Sequence, residues 1–304
     1  MSRYQSFLAL LAVGPLVSGC RSESEPALPA TPILLTSTTG LRQDLSAISI
    51  DGRRVVAPSA LMNAGAADWA PDGRRITFER IVEGRSQIFT GSLDGSRLAT
   101  QITQCLANCY YPRWSPDGRV IAYWHNYPPT GAPAIADSGV TMLVDTTGAS
   151  PREIVPTRWR TSGHAGPPAS WAPDSRRFAF ARPSGDLFVV SVDGGDAVQV
   201  PTNARVGDAA WASDGSTIAG YLVDGGIGLF DPTGLTEAIR LDVTNNYRFP
   251  AWSPDSRRLV FSADGAGGSL DLFIMNVDGA ERRQLTSTGG IHEYVARWNP
   301  IQPR

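Results

Sequence analysis

The stretch Trp114-Ser115-Pro116-Asp117-Gly118-Arg119 is followed by the apolar run Val120, Ile121, Ala122, Tyr123, and this arrangement returns along the chain. Trp69-Ala70-Pro71-Asp72-Gly73, Trp171-Ala172-Pro173-Asp174-Ser175, Trp211-Ala212-Ser213-Asp214-Gly215 and Trp252-Ser253-Pro254-Asp255-Ser256 are further copies. A sixth begins at Trp298-Asn299-Pro300. Successive Trp residues stand 45, 57, 40, 41 and 46 positions apart. A period of that length, built from short strands and turns, is the signature of a repeat array in which each unit is one sheet.

Each copy is followed by an alternating strand that ends in a turn. Residues 88–95, 186–194 and 271–279 carry it most clearly, and 140–148 and 226–234 more loosely. A short last strand comes next, as in Arg283-Gln284-Leu285-Thr286. Each repeat thus reads as four antiparallel strands, A to D, with strand A ending at the Trp. Proline presets φ near −65°, Asp bonds the local backbone and Gly tolerates positive φ, which together make a tight A–B hairpin. Where Ser175 and Ser256 replace Gly, the turn must avoid the left-handed region or bear a cost.

The chain ends are complementary. Ile33 to Thr36, Asp44 to Gly52 and Arg54 to Ala57 supply strands B, C and D without a strand A, and Val295 to Trp298 supply a strand A alone. Together they complete one blade. The expected fold is therefore all-β: a six-bladed β-propeller of four-stranded antiparallel blades over residues 33–299, followed by a tail at 300–304. The shared blade pairs strands that would otherwise be exposed edges. The Trp side chains are expected between successive blades.

The first 19 residues read as a targeting segment: Arg3, an apolar run from Phe7 to Val13, then small residues. Val17-Ser18-Gly19-Cys20 resembles a bacterial lipobox, which implies cleavage before Cys20 and lipidation of its thiol. Arg21, rather than Asp, follows Cys20, which in lipoproteins leans toward the outer membrane. Residues 20–32 have the composition of a flexible tether.

The Trp-Ser-Pro-Asp-Gly-Arg motif, the β-branched strand after it, residues 272–279 and Arg283-Gln284-Leu285-Thr286 resemble the repeat of TolB-type (WD40-like) six-bladed propellers. Bearers of this repeat include periplasmic scaffolds, propeller domains of prolyl-type peptidases and some pectin-degrading lyases. The TolB type carries an α/β domain ahead of its propeller, and here only the tether precedes the first strand. The resemblance implies an envelope scaffold that binds a protein or glycan, without TolB's particular partners. The peptidases need a Gly-x-Ser-x-Gly elbow, which this sequence lacks. A metal-dependent or carboxylate-based polysaccharide lyase or hydrolase is the competing class.

Topology places A–B and C–D turns on one face and B–C and D–A loops on the other, and the second set holds most of the irregular sequence. The 57-residue repeat carries insertions at 125–139 and 157–168 on that variable face. Tyr110, Tyr111, Trp124, His125, Tyr127, Arg158, Trp159, Arg160 and His164 cluster there. They form either a partner-binding surface, since long loops on a rigid scaffold tend to bind and aromatics and Arg dominate hot spots, or the cover of an oversized loop. His125, His164 and His292 all map to the variable face, but His292 belongs to the closing blade, and no metal site or other cofactor is assigned. Cys105 and Cys109 are the remaining cysteines, read first as a local disulfide and second as a thiol–metal pair. The Gly265–Gly268 run lacks the strand–loop–helix setting of a phosphate cradle. A net charge of −2 gives no footprint for nucleic acid. Asp68, Arg113, Asp208 and Arg297 on the A strands are expected near the channel mouth, where mixed charges suggest water filling.

Overall fold

A computed structural model describes residues 32–301 apart from 41, 57–60, 62, 127–138, 155–169, 183, 235–238, 242–246 and 266. Its regular elements, among the described residues, are 24 strands in six four-stranded antiparallel sheets. Blade 1 is β4 (Ala64–Trp69), β5 (Arg75–Val82), β6 (Arg85–Ser92) and β7 (Thr100–Gln101). Blade 2 is β8 (Cys109–Trp114), β9 (Val120–Asn126), β10 (Gly139–Asp145) and β11 (Arg152–Glu153). Blades 3, 4 and 5 begin with β12 (Ser170–Trp171), β16 (Val206–Trp211) and β20 (Arg248–Trp252) and end with β15 (Val198–Val200), β19 (Ile239–Leu241) and β23 (Arg283–Gln284). Every strand A stops at its motif Trp, as the repeat predicts.

The sixth blade is the composite one, in the order β24-β1-β2-β3. β24 (His292–Trp298) lies antiparallel to β1 (Ile33–Thr39), pairing Ile33 with Trp298 and Thr38 with His292. β2 (Arg42–Ile48) and β3 (Arg54–Val56) follow, so strand C starts two residues earlier than the sequence pattern suggests and ends four earlier. Side chains fasten the seam. The Tyr294 hydroxyl lies 2.6 Å from Thr38 Oγ1 and accepts a bond from Gln43 Nε2 at 2.9 Å. Glu293, fully buried, forms an ion pair with Arg54. Beyond the strand, Asn299 N donates to Pro32 O and Asn299 Nδ2 donates to Gly73 O in blade 1.

The six Trp side chains are all buried, at 4–8% exposure. They pack between blades: Trp69 belongs to one core with Leu34 and Leu45 of the closing blade, and Trp252 to one core with Ala212 and Leu229 of blade 4. After Trp69, each Trp meets the preceding blade in one of two ways, according to one upstream position. Where the residue six after the previous Trp is Arg, its guanidinium covers the next indole: Arg75 over Trp114 at 4.8 Å, Arg177 over Trp211 at 5.1 Å, Arg258 over Trp298 at 5.4 Å. Where that position is Val120 or Thr217, the next indole donates instead to a backbone carbonyl of the preceding blade. Trp171 Nε1 donates to Arg113 O and Trp252 Nε1 to Ala210 O.

The turns behave as their chemistry requires. In the A–B turns Asp72, Asp117, Asp174, Asp214 and Asp255 each accept a bond from the backbone N–H two residues on. These bonds hold several of the carboxyls below the usual range: Asp214 through the Ser216 N–H, Asp72 and Asp174 through neighbouring N–H groups and Arg that outweigh partial burial. Ser175 and Ser256 sit at φ 57° and 56°. The cost is offset across the blade boundary, because their hydroxyls accept bonds from Asp117 N and Asp214 N of the preceding blades.

Candidate functional site

The A strands wall a central channel, and their sequence positions stack into tiers. At the turn-face end all six motif Trp residues, with Pro71, Pro116, Pro173, Pro254 and Pro300, line a cavity of about 320 Å³. The tier one residue before each Trp holds Asp68, Arg113, Ser170, Ala210, Ala251 and Arg297, which line a second cavity of about 160 Å³. Here the neighbours are cross-linked: Asp68 Oδ2 accepts from Trp114 N, and Ser170 Oγ from Trp211 N, both at 2.8 Å.

The next tier is irregular in nearly every blade. The ladder between strands A and B slips in blades 1, 2, 4, 5 and the closing blade. In four of these, the residue three before the Trp is a non-glycine with positive φ: Ala66 at 40°, Tyr111 at 53°, Phe249 at 53° and Val295 at 54°. Such bulges bend a strand and free backbone groups from the ladder. Left-handed β-branched and aromatic residues persist only where the surroundings hold them. Two of the freed donors are taken by carboxylates of the preceding blade: Tyr111 N–H bonds to Glu79, and Phe249 N–H to Asp208.

Between this tier and the one before it, buried charge is concentrated. Arg113 is 6% exposed, Asp208 7% and Glu79 9%. Arg113 sits among Asp68, Asp208 and Glu79, and Arg248 also faces Asp208. Burial wins over that attraction. It raises Glu79 to about 7 and Asp208 to about 7, pushes Asp68 upward and depresses Arg113. Among the described residues, Asp208 Oδ1 and Arg113 Nη1 are buried without a hydrogen-bond partner. Around them stand Tyr111, Tyr294 and Phe249. The Phe249 and Tyr294 rings lie 6.1 Å apart, and burial with the nearby Glu79 and Asp208 carboxyls pushes the Tyr111 hydroxyl upward.

The structure brings part of the sequence-derived cluster together. Tyr110 pairs across the ladder with Trp124, and Cys109 with His125. The Tyr110 and Tyr111 rings are 6.0 Å apart, but the bulge turns Tyr111 toward Glu79 and the channel. Trp124 Nε1 donates to Asn126 Oδ1 at 2.8 Å, and a Cβ on Gly139 would fall 2.4 Å from its ring, so β10 needs glycine there. Cys105 and Cys109 form a disulfide, with Cα atoms 6.2 Å apart. Burial lowers the His125 pKa. His292 is exposed and accepts a bond from Leu270 N through Nδ1, remote from His125 in the ring order. Tyr127, Arg158, Trp159, Arg160, His164 and Cys20 lie outside the described residues.

Sequence reasoning missed Glu79, Phe249, Arg248 and Tyr294, and took Asp68, Arg113 and Asp208 as lining for a water-filled pore. A signal was present: counted back from each Trp, position four holds Tyr110, Arg248 and Tyr294, and position three holds Tyr111, Asp208 and Phe249.

No family model matches the sequence. An uncharacterized peptidase of Bacillus subtilis, YuxL, is 49% identical over 37 residues, which is 12% of this chain and 6% of that protein. The match therefore spans a small fraction of the relative's length, about one repeat. The crystal structure of TolB from Acinetobacter baumannii superposes with a TM-score of 0.72 at 18% identity, covering 89% of this chain and 67% of that one. A putative TolB from Agrobacterium tumefaciens gives 0.61 at 17% identity, covering 90% and 100%. The fold is that of a TolB-type six-bladed propeller.

Proposed function

We propose that this chain is a non-enzymatic binding propeller of the bacterial envelope, which holds a protein or glycan against its B–C/D–A face. The observation that carries this reading is the ring of left-handed bulges at Ala66, Tyr111, Phe249 and Val295. Glycine would remove the strain at each, and none has it. Strain retained around a channel, beside partly unpaired buried charge, is characteristic of surfaces that engage a ligand. The same strands lead, at their Tyr110–Cys109 end, to the loops of the variable face. The similarity to TolB propellers is consistent with a scaffold role.

Chain entry supports a polarity for the assembly. Pro32 accepts its bond from Asn299, and Ile33 pairs with Trp298, so the chain enters the ring at the Trp–Pro face. A lipid on Cys20 would hold that face toward a membrane, through a tether reaching at most about 40 Å. The variable face would then look away from the bilayer, into the periplasm if the anchor is in the outer membrane. Aromatic and Arg residues of the two insertions, including Tyr127, Arg158, Trp159, Arg160 and His164, would add to the surface formed by Tyr110, Tyr111, Trp124 and His125.

The test is partner recovery from solubilised membranes with the full chain, compared with a variant shortened across 127–138 and a variant altered at the turn face, Arg119→Ala. Loss with the first and retention with the second is expected. Equal recovery by both variants overturns the assignment of the face. Cys20→Ala is expected to move the protein from the membrane to the soluble fraction, and unchanged sedimentation would remove the anchor.

A further inference from the structure

We propose that Cys105, Cys109 and His125 form a reduction-gated site for a thiophilic divalent cation of the zinc class. The three donor atoms lie within 4.8 Å of one another, the only such grouping of three among the described residues. Donors around a tetrahedral zinc stand ~3.3–3.8 Å apart, given bonds of ~2.0–2.3 Å, so small side-chain rotations close the site.

Two features make the arrangement more than proximity. First, strand register fixes the His–Cys pair. Cys109 lies directly opposite His125, and the neighbouring bond runs from Asn126 N to Asn108 O. That puts Cys109 and His125 at a non-hydrogen-bonded position, where facing side chains come closest. Second, the loop carrying Cys105 is pinned by blade 1 independently of the sulfur bond. Gln87 Oε1 accepts from Cys105 N at 2.9 Å and from Thr103 Oγ1 at 3.0 Å, and Gln87 Nε2 donates to Cys105 O at 3.0 Å. Asn108 Oδ1 accepts from Ser86 N at 2.8 Å. Opening the disulfide therefore leaves both sulfurs near their places, as a preformed metal site requires.

Disulfide and metal compete for the same sulfurs. A dithiol reductant opens the S–S bond by exchange, giving two thiols here and a disulfide in the reductant. Cation binding then releases both thiol protons to solvent as the thiolates bond the metal, with the imidazole as third ligand and one position left to water. Exchange with a disulfide of an oxidised dithiol closes the site: the cation leaves, the S–S bond re-forms and the partner is reduced to two thiols.

The experiment uses the full chain carrying Cys20→Ser, reduced with dithiothreitol, desalted without oxygen and titrated with Co²⁺. One equivalent with a sulfur-to-cobalt charge-transfer band is expected after reduction, and none in the oxidised protein. Cys109→Ser should abolish the band, and His125→Ala should shift it and weaken binding at least about tenfold. Gln87→Leu, a positioning change, should weaken binding about tenfold while keeping the spectrum. In parallel, Zn²⁺ should slow alkylation of the reduced thiols, a readout that needs no variant. No cobalt band after reduction, an equal band without it, unslowed alkylation, or an unchanged spectrum in a folded His125→Ala protein overturns the proposal.

Discussion

The turn face and the interior of the channel are built from the same strand A, and they are solved in opposite ways. At the turn face one answer recurs: a Trp between blades in all six repeats, a Pro in the turn everywhere but at Ser213, and in five repeats an Asp that satisfies the next backbone donors. Three residues upstream the blades diverge. Ala66, Tyr111, Asp208, Phe249 and Val295 occupy the equivalent place, four of them left-handed, beside the buried Arg113, Asp68 and Glu79. Repetition at one end makes the ring close, and that closure holds the irregular, unfavourable tier at the other.

The comparison breaks first if the ring tolerates being left open. Removing residues 292–304 should abolish the cooperative transition or leave an associating species, because β1 and the last blade lose their partner; a monomer with an unchanged melting temperature would contradict the composite blade. Next come two single changes of similar size in the two regions. Trp211→Ala should cost about 3–5 kcal/mol in chemical denaturation, irrespective of pH. Arg113→Met should cost about 3–5 kcal/mol above pH 7, since Asp68 and Glu79 lose their cation and Asp208 keeps only Arg248, and less on acidification as they protonate. A pH-independent cost at Arg113 would mean the charges do not communicate.

A smaller effect separates the regions by sign. Glu79 moves from 4.5 when unfolded to about 7 when folded, and Asp208 from 3.8 to about 7, so the native state holds the extra protons. Stability from this tier is complete below the unfolded values and is lost as pH rises through 7. The turn carboxyls are depressed and act the other way, losing their contribution as pH falls below 4. Glu79→Gln keeps the acceptor and removes the titration. Its melting temperature should decline less than the parent's between pH 5 and 8, equivalent to ~1–3 kcal/mol. The smallest effect is Ala66→Gly, which should stabilise by up to ~1 kcal/mol by relieving a left-handed alanine; destabilisation would show that the bulge is not strained.

What was legible in the sequence follows this division. The Trp copies, the Pro-Asp-Gly turns and the complementary chain ends specify six blades, because each repeat solves the same local problem with the same residues. The bulges were hidden. Tyr111, Phe249 and Val295 carry no Gly or Asn to announce positive φ, and their conformation is imposed by the ring. Glu79 and Asp208 look like the polar members of half-exposed strands, and only closure buries them. Cys105 and Cys109 could be paired by spacing, whereas the approach of His125 depended on a register that a slip between Tyr110 and Arg113 could have altered.

The seam between β24 and β1 also sets a schedule. Its two strands are separated by more than 250 residues, as the Tyr294–Thr38 bond records. A polypeptide made amino end first can finish five sheets before its closing strand arrives. Until then both borders of the incomplete ring are sticky, and the last segment to emerge is the one that turns an arc into a circle.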